Sequence, residues 1–268
     1  MKKQIVFRDE SKDDFAFSYG KIKTEKVDKK YKYINKNILW RIVSFFLYYV
    51  VCPPILYFYS KLKCGYRVVG REKLKKAKGG YFVYCNHTQA ELDAFLPNLL
   101  SYPRRTYIIT GPEATSIKGL RQIVKMLGAL PVASTICGLK NMDNAIRARV
   151  QANNAIAIFP EAHIWPYYTK IRPFPSGSFK FPIRTGKPCF SFTVTYHDRY
   201  IFFHKCKRPG ITVYVEGPFY PDLSVSKIQA QELLRQKVYD SMVKSSLRDN
   251  QVEYIEYVRD NNTEIKEL

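Results

Sequence analysis

His87 and Asp93 are the two residues of this chain whose types and spacing could do chemistry. His87 follows an apolar segment, residues 81–85, and Asp93 comes six residues after His87. A histidine just past the end of a strand is exposed enough to meet a substrate. A carboxylate bound to one ring nitrogen fixes the tautomer, and the other nitrogen can then accept a proton from a hydroxyl group. The pair therefore predicts general-base chemistry.

Glu91 is a second carboxylate that could orient His87. Thr88 and Glu91 fit the capping-box pattern Thr-x-x-Glu, in which the glutamate reaches back to the backbone at the start of a helix. That pattern gives Glu91 a structural role and leaves Asp93 to orient the histidine. We therefore prefer Asp93 as the orienting group and keep Glu91 as the alternative.

The segments around His87 resemble the motifs of the glycerolipid acyltransferases, the family of bacterial lysophosphatidate acyltransferases. The first motif is Asn-His, four residues and Asp, whereas Asn86-His87 and Asp93 here are separated by five residues. The other segments that resemble family motifs are residues 128–134, 159–164, 174–180 and 188–196. The resemblance runs from about Tyr66 to the end of the last predicted helix, which is most of the chain.

This resemblance implies transfer of a fatty acyl group from a thioester of coenzyme A or acyl carrier protein. The implied acceptor is a hydroxyl of a lysophospholipid or a glycerol-phosphate-type molecule, within phospholipid biosynthesis. His87 would be the general base, and Glu161 stands where the family has a glutamate at the acceptor site. The implied reaction needs no metal and no cofactor apart from the thioester co-substrate.

Two arginines with which the family holds the acceptor phosphate are absent, because Ser134 and Ile164 occupy their positions. A phosphate still needs cations or helix N-termini around it. Lys170 and Arg172 are the predicted replacements, and His163 is a predicted polar contact to the acceptor. The alternative is an acceptor that is not a simple glycerol phosphate.

Strand and helix patterns alternate over most of the chain. Strands are predicted near residues 66–69, 81–85, 108–109, 155–159, 190–196 and 211–215, and helices near 92–100, 118–127, 141–152 and 226–246. This alternation predicts an α/β fold with a mixed sheet flanked by helices. We expect this domain to span residues 62–248 and to be followed by a polar tail, residues 249–268.

A membrane-associated segment is predicted ahead of this domain, at residues 38–61, after a basic polar segment, residues 1–37. Residues 42–59 carry no charge, but a spanning helix needs about 20 apolar residues, and the pair Pro53-Pro54 interrupts the run. We expect two short helices that dip into one leaflet at the cytoplasmic face. A single kinked span is the alternative.

The charge balance favours anionic partners. The chain has 44 Lys and Arg against 23 Asp and Glu, a formal charge of +21, which suits a membrane surface or an acidic acyl carrier protein. The second functional hypothesis is a non-catalytic, membrane-docked module that binds anionic lipid. A nucleic-acid binder ranks third because no recognised nucleic-acid motif is present, and we expect no specific nucleic acid partner.

Overall fold

A seven-stranded mixed sheet forms the centre of the protein, in a computed structural model that describes residues 3–16, 22, 24–249 and 252–260. Across the sheet the strands are β2 (Arg67–Val69), β10 (Gly210–Phe219), β7 (Cys189–His197), β3 (Tyr81–Cys85), β6 (Ala155–Ile158), β4 (Thr106–Thr110) and β5 (Ala129–Pro131). Neighbouring strands are parallel except β10 and β7, which are antiparallel.

Two small sheets and six helices complete the architecture of the described residues. The small sheets pair β1 (Lys3–Phe7) with β11 (Ile255–Arg259) and β8 (Tyr200–Ile201) with β9 (His204–Lys205). The helices are α1 (Ile38–Cys64), α2 (Leu96–Ser101), α3 (Arg121–Met126), α4 (Ile136–Gln151), α5 (Lys180–Thr185) and α6 (Lys227–Ser246). Short 3₁₀ turns lie at Arg71–Lys76, Pro112–Thr115 and Ser176–Phe179.

Helices cover both faces of the sheet, which confirms the predicted mixed α/β class. Every residue of β3 and β6 is buried, as expected for central parallel strands with both faces covered. Side chains alternate between two cores: Phe82 packs in the cluster that includes residues of α4 and α6, and Val83 packs in the cluster that includes residues of α2. A capping box starts α6, with Ser226 and Gln229 bonding reciprocally.

The predicted pair of short membrane helices is corrected to one continuous helix. α1 has 27 residues, and by length and composition it is long and apolar enough to cross a membrane. Pro53 and Pro54 do not break it because they lie in the first turn of the regular helix that begins at Cys52, just after a wider π-helical turn, Leu47–Val51. A proline is tolerated there because its missing N–H is not needed.

Both polar termini also differ from the prediction, because their described parts pack on the domain. β1 and β11 form a parallel pair, so the segment 249–268 is not merely a tail. Between the strands and the domain lies Trp165, which is fully buried; it contacts Phe7 at 4.7 Å and stacks on Tyr257 at 4.9 Å between ring centroids. The segments KQIVF and IEYVR lack the regular alternation that marks a strand, and only pairing between distant ends of the chain stabilises them.

We expect Tyr257→Ala to destabilise the protein, because the ring stacks on Trp165 and its hydroxyl donates to the Pro166 carbonyl at 2.8 Å. The free energy of unfolding should fall by about 3 kcal/mol, the lower end of the range for large aromatic truncations. Glu256→Ala, an exposed position of the same strand, is the control and should change it little. Equal stability of both variants in denaturant titrations would show that the β1–β11 sheet contributes little.

Candidate active site

The position of His87 is set by the end of β3 and by Asn86. Asn86 is buried and bonds across to β7 in both directions: its side-chain amide donates to the Val194 carbonyl at 3.0 Å, and its side-chain oxygen accepts from the Val194 N–H at 2.8 Å. These two bonds continue the hydrogen bonding between β3 and β7 one residue beyond the end of β3. The chain can then turn away at His87, whose side chain is 23% exposed.

His87 and Asp93 meet as the sequence predicted. Nδ1 of His87 lies 2.8 Å from Oδ2 of Asp93, and the same oxygen accepts from the Gln89 N–H at 2.9 Å. Among the described residues, no group hydrogen-bonds to Nε2 of His87, so this nitrogen is available to a substrate. The Phe159 ring packs against the imidazole at 4.5 Å between centroids and limits its rotation.

Asp93 is buried, with only 3% of its surface exposed. Burial raises the pKa of the Asp93 carboxyl above its ordinary value, and the hydrogen bond from His87 acts in the opposite direction. Within the described part of the chain, Oδ1 of Asp93 has no hydrogen-bond partner. A carboxylate with one oxygen left unsatisfied in the interior is costly to the fold, so its placement beside His87 indicates a functional demand.

The extra residue between His87 and Asp93 is absorbed by irregular backbone. Residues 90–95 form turns, and the helix predicted from residue 92 begins only at Leu96. The Asp93 N–H donates to the Gln89 carbonyl at 2.8 Å, which closes one tight turn beneath the imidazole. Because these residues are not helical, the insertion does not rotate Asp93 away from His87.

The capping box predicted for Thr88 and Glu91 is wrong, because no helix starts there. The Thr88 hydroxyl donates to the Tyr168 carbonyl at 2.9 Å. Glu91 instead accepts from the Tyr59 hydroxyl and from Arg208, both at 2.8 Å. The Tyr59 hydrogen bond lowers the pKa of Glu91. Glu91 therefore connects α1 to the segment after β9 and does not orient His87.

Glu161 lies close to His87 because β3 and β6 are parallel neighbours and their carboxyl ends share one edge of the sheet. Its Oε2 accepts from the His87 N–H at 3.3 Å and from the Arg172 guanidinium at 2.9 Å, while Oε1 accepts from the Arg172 N–H at 3.2 Å. Burial raises the pKa of Glu161, and the charge of Arg172 opposes that rise.

The family of the central part of the chain follows from its sequence match. Residues 65–196, which run from the end of α1 to the end of β7 and hold His87, Asp93 and Glu161, match the family model described as Acyltransferase. These residues form a domain of the acyltransferase family. This confirms the resemblance drawn from the motifs.

One solved structure similar to this acyltransferase is the 1-acyl-sn-glycerophosphate (LPA) acyltransferase PlsC from Thermotoga maritima. The two chains are 17% identical, with a TM-score of 0.49, and the match covers 80% of this chain and 97% of that one. No curated protein matches the sequence.

In this acyltransferase the prediction that Arg172 binds an acceptor phosphate is corrected. Arg172 is only 1% exposed, forms an ion pair with Glu161, and donates to the main-chain carbonyls of His163 and Glu10. Both oxygens of Glu161 are likewise occupied by protein donors. The two residues are therefore a buried pair that supports the His87 loop, and neither presents an open group to an acceptor.

His163 and Lys170 differ in their surroundings. Nδ1 of His163 lies 3.2 Å from Asp14, so this histidine fastens the N-terminal segment to the domain. Lys170 is exposed, and no ion pair joins it to any carboxylate of the described residues. Of the two cations predicted to replace the missing arginines, only Lys170 is free to meet an anionic acceptor.

The N-terminal segment packs at both positions where the family has arginines. The Ser134 N–H and hydroxyl both donate to the Val27 carbonyl, at 2.9 and 3.2 Å. Ile164 is buried, and its carbonyl accepts from the Phe15 N–H at 3.1 Å. The chain thus places its own backbone where the resemblance had placed a phosphate site. The polar composition of residues 1–37 gave no sign of this packing.

We expect Asp93→Asn to lower kcat by about 10²-fold or more, since it removes the carboxylate that fixes the tautomer of His87. The fold should stay as stable as the wild type, because a buried charge is removed. Glu91→Gln, which alters a carboxylate away from the imidazole, is the matched control and should keep its activity. Acyl-transfer rates and thermal midpoints measure both effects, and the reverse order of activities would make Glu91 the orienting group.

We expect Arg172→Ala to lower the free energy of unfolding by about 3–5 kcal/mol, because it leaves Glu161 buried and unpaired. Lys170→Ala, an exposed cation two residues away, should change it by no more than about 0.5 kcal/mol. Chemical denaturation measures the difference. An Arg172→Ala protein that is as stable as Lys170→Ala but has a raised acceptor KM would return Arg172 to the acceptor site.

Proposed function

We propose that this acyltransferase moves an acyl group from an acyl thioester to a hydroxyl of a lysophospholipid-type acceptor. The observation that carries the proposal is the His87–Asp93 pair, with Nδ1 held at 2.8 Å and Nε2 unpartnered among the described residues. This arrangement suits a general base that takes a proton from a substrate on its exposed side.

In the proposed reaction, Nε2 of His87 removes the proton of the acceptor hydroxyl. The acceptor oxygen forms a bond to the thioester carbonyl carbon, and the carbon–sulfur bond breaks as the tetrahedral intermediate collapses. The proton on His87 passes to the departing thiolate, so the histidine returns to its starting state. Asp93 stabilises the imidazolium between these two steps. The thioester of coenzyme A or acyl carrier protein is the only co-substrate that this chemistry requires.

We propose that α1 docks the enzyme on the membrane that supplies the acceptor. One side of α1 is tied to the domain along its length: the Ser44 hydroxyl donates to Met126, Tyr48 accepts from Thr106, and Tyr59 donates to Glu91. The other side exposes large apolar residues: Ile38, Leu39, Ile42, Phe45, Phe46, Ile55, Phe58 and Leu62. A helix fixed lengthwise to a domain favours lying in the interface over crossing the bilayer.

The acceptor site proposed here has one free cation from the predicted set, Lys170. A single exposed charge contributes less to binding than a pair of phosphate-binding arginines would. We therefore propose that the acceptor is recognised more through its acyl chain and its position in the membrane than through a phosphate clamp.

His87→Ala tests the proposed function. Purified protein is incubated with acyl-coenzyme A or acyl carrier protein thioesters and a panel of lysolipids, and the products are identified by mass spectrometry. We expect the variant to fold and to transfer acyl groups about 10²–10⁴-fold more slowly than the wild type.

Wild-type turnover by folded His87→Ala would exclude the general base. No product from the wild type with any donor or acceptor would instead favour a non-catalytic module that binds anionic lipid. The same assay compares lysophosphatidate with an uncharged monoacylglycerol as acceptors, for the wild type and for Lys170→Ala. The difference in rate measures how much the acceptor phosphate contributes to recognition.

A further inference from the structure

The β8–β9 hairpin has an unusual turn. Phe202 and Phe203 join the two strands, and both have positive φ, 45° and 67°. A two-residue hairpin loop with positive φ at both positions is a type I′ turn, which asparagine and glycine favour. Two bulky aromatic residues therefore occupy backbone positions that disfavour them, which points to a role for the side chains themselves.

The phenylalanine side chains project away from the domain. Phe202 is 88% exposed and Phe203 is 99% exposed, and the neighbouring Tyr200 and Ile201 are exposed as well. These four consecutive residues form one apolar patch at the tip of a short hairpin. Contiguous exposed apolar residues of this kind mark a surface that binds a partner.

The base of the hairpin is cationic. Residues 198–208 hold four Lys or Arg and one acid. The Lys205 charge is paired with Asp198, and the Arg208 charge with Glu91, while Lys207 is exposed. We call the cationic residues at the base of the hairpin the basic collar. In an anionic bilayer the apolar tip would meet the acyl chains, while the basic collar would meet the negative headgroups.

The base of the hairpin is attached to the C-terminal end of α1. The Arg199 guanidinium donates to the main-chain carbonyls of Leu62 and Lys63, at the C-terminal end of α1. Gly65, which ends the helix with φ of 56°, lies against the Arg199 side chain, and a Cβ there would come within 2.9 Å of it. The hairpin is thus attached to the end of the helix that carries the other large apolar surface.

We propose that the β8–β9 hairpin is a second membrane-docking element, whose Phe202 and Phe203 rings insert at the headgroup–acyl boundary of an anionic bilayer. Aromatic rings favour that depth, and the basic collar would contact the anionic headgroups. The proposal extends the membrane docking proposed for α1 to a part of the chain about 140 residues further on. Two attached contacts would hold the domain in one orientation on the surface, as linked binding sites do.

Single-tryptophan reporters in the full chain test the insertion. The chain has two tryptophans, and a Trp40→Phe background leaves only Trp165, which is fully buried. Three reporters are compared in this background: F203W in the hairpin, F45W on the exposed side of α1, and I228W at the start of α6. Each is mixed with phosphatidylcholine–phosphatidylglycerol vesicles whose acyl chains carry bromine near the headgroup end.

We expect the emission of F203W and F45W to shift to the blue and to be quenched by brominated lipid. I228W, at a position that is 81% exposed, should show neither effect. Quenching of F45W without F203W would overturn the hairpin proposal and leave the docking of α1 intact. Quenching of neither would overturn both. Acyl transfer measured on the same vesicles judges the proposed reaction separately, because that readout does not depend on the reporters.

The double variant F202N/F203G separates a membrane role from a structural one. Asn-Gly is the favoured pair for a type I′ turn, so the thermal midpoint should stay the same or rise. Vesicle affinity should fall by at least about tenfold, the equivalent of about 1.4 kcal/mol. L223S/I228S, which removes two other exposed apolar side chains, is the matched control and should bind like the wild type. Unchanged vesicle binding by F202N/F203G, or a change in oligomeric state instead, would overturn the proposal.

Discussion

The buried carboxylate of Glu161 is the interaction on which the rest of the site depends. It joins the backbone of His87, at the end of β3, to both the backbone and the guanidinium of Arg172. Two desolvated charges are costly to bury, and they are tolerated only when hydrogen bonds satisfy them, as they do here. The Arg172 guanidinium also reaches the carbonyls of Glu10 and His163. One ion pair therefore holds together the histidine loop, the segment after β6 and the N-terminal segment.

The bonds of Glu161 help to explain how the site tolerates the buried carboxylate of Asp93. Asp93 is buried with one oxygen unsatisfied among the described residues, and its other oxygen is committed to His87 and Gln89. Such a group would relax if the backbone around it could move. The Asn86 bonds to β7 and the Glu161 bond to His87 fix that backbone at two points. A general base must keep its geometry while its charge changes, and a rigid surrounding shell supplies that constraint.

Hydrogen bonds connect the segments that carry the two exposed apolar surfaces. The exposed side of α1 and the tip of the β8–β9 hairpin are connected through Arg199, and Glu91 links Tyr59 of α1 to Arg208 beyond the hairpin. Glu91 is only two residues from Asp93 in the chain. A short path of covalent and hydrogen bonds therefore connects the proposed membrane contacts to the proposed general base. Such a connection suits an enzyme that meets its acceptor at a membrane surface.

The sequence by itself determined the parts of this protein that rest on local patterns. Strand and helix alternation predicted the mixed α/β fold, and the strand-end histidine with a carboxylate near it predicted the His87–Asp93 contact. The tertiary structure decided what depends on distant partners. Arg172 became a buried counter-ion because the segment after β6 folds back and brings its guanidinium to Glu161. The polar termini paired because each supplies one strand to a sheet that neither could form alone. Such outcomes depend on which distant surfaces come into contact in the folded chain. The propensities of neighbouring residues carry no information about those contacts.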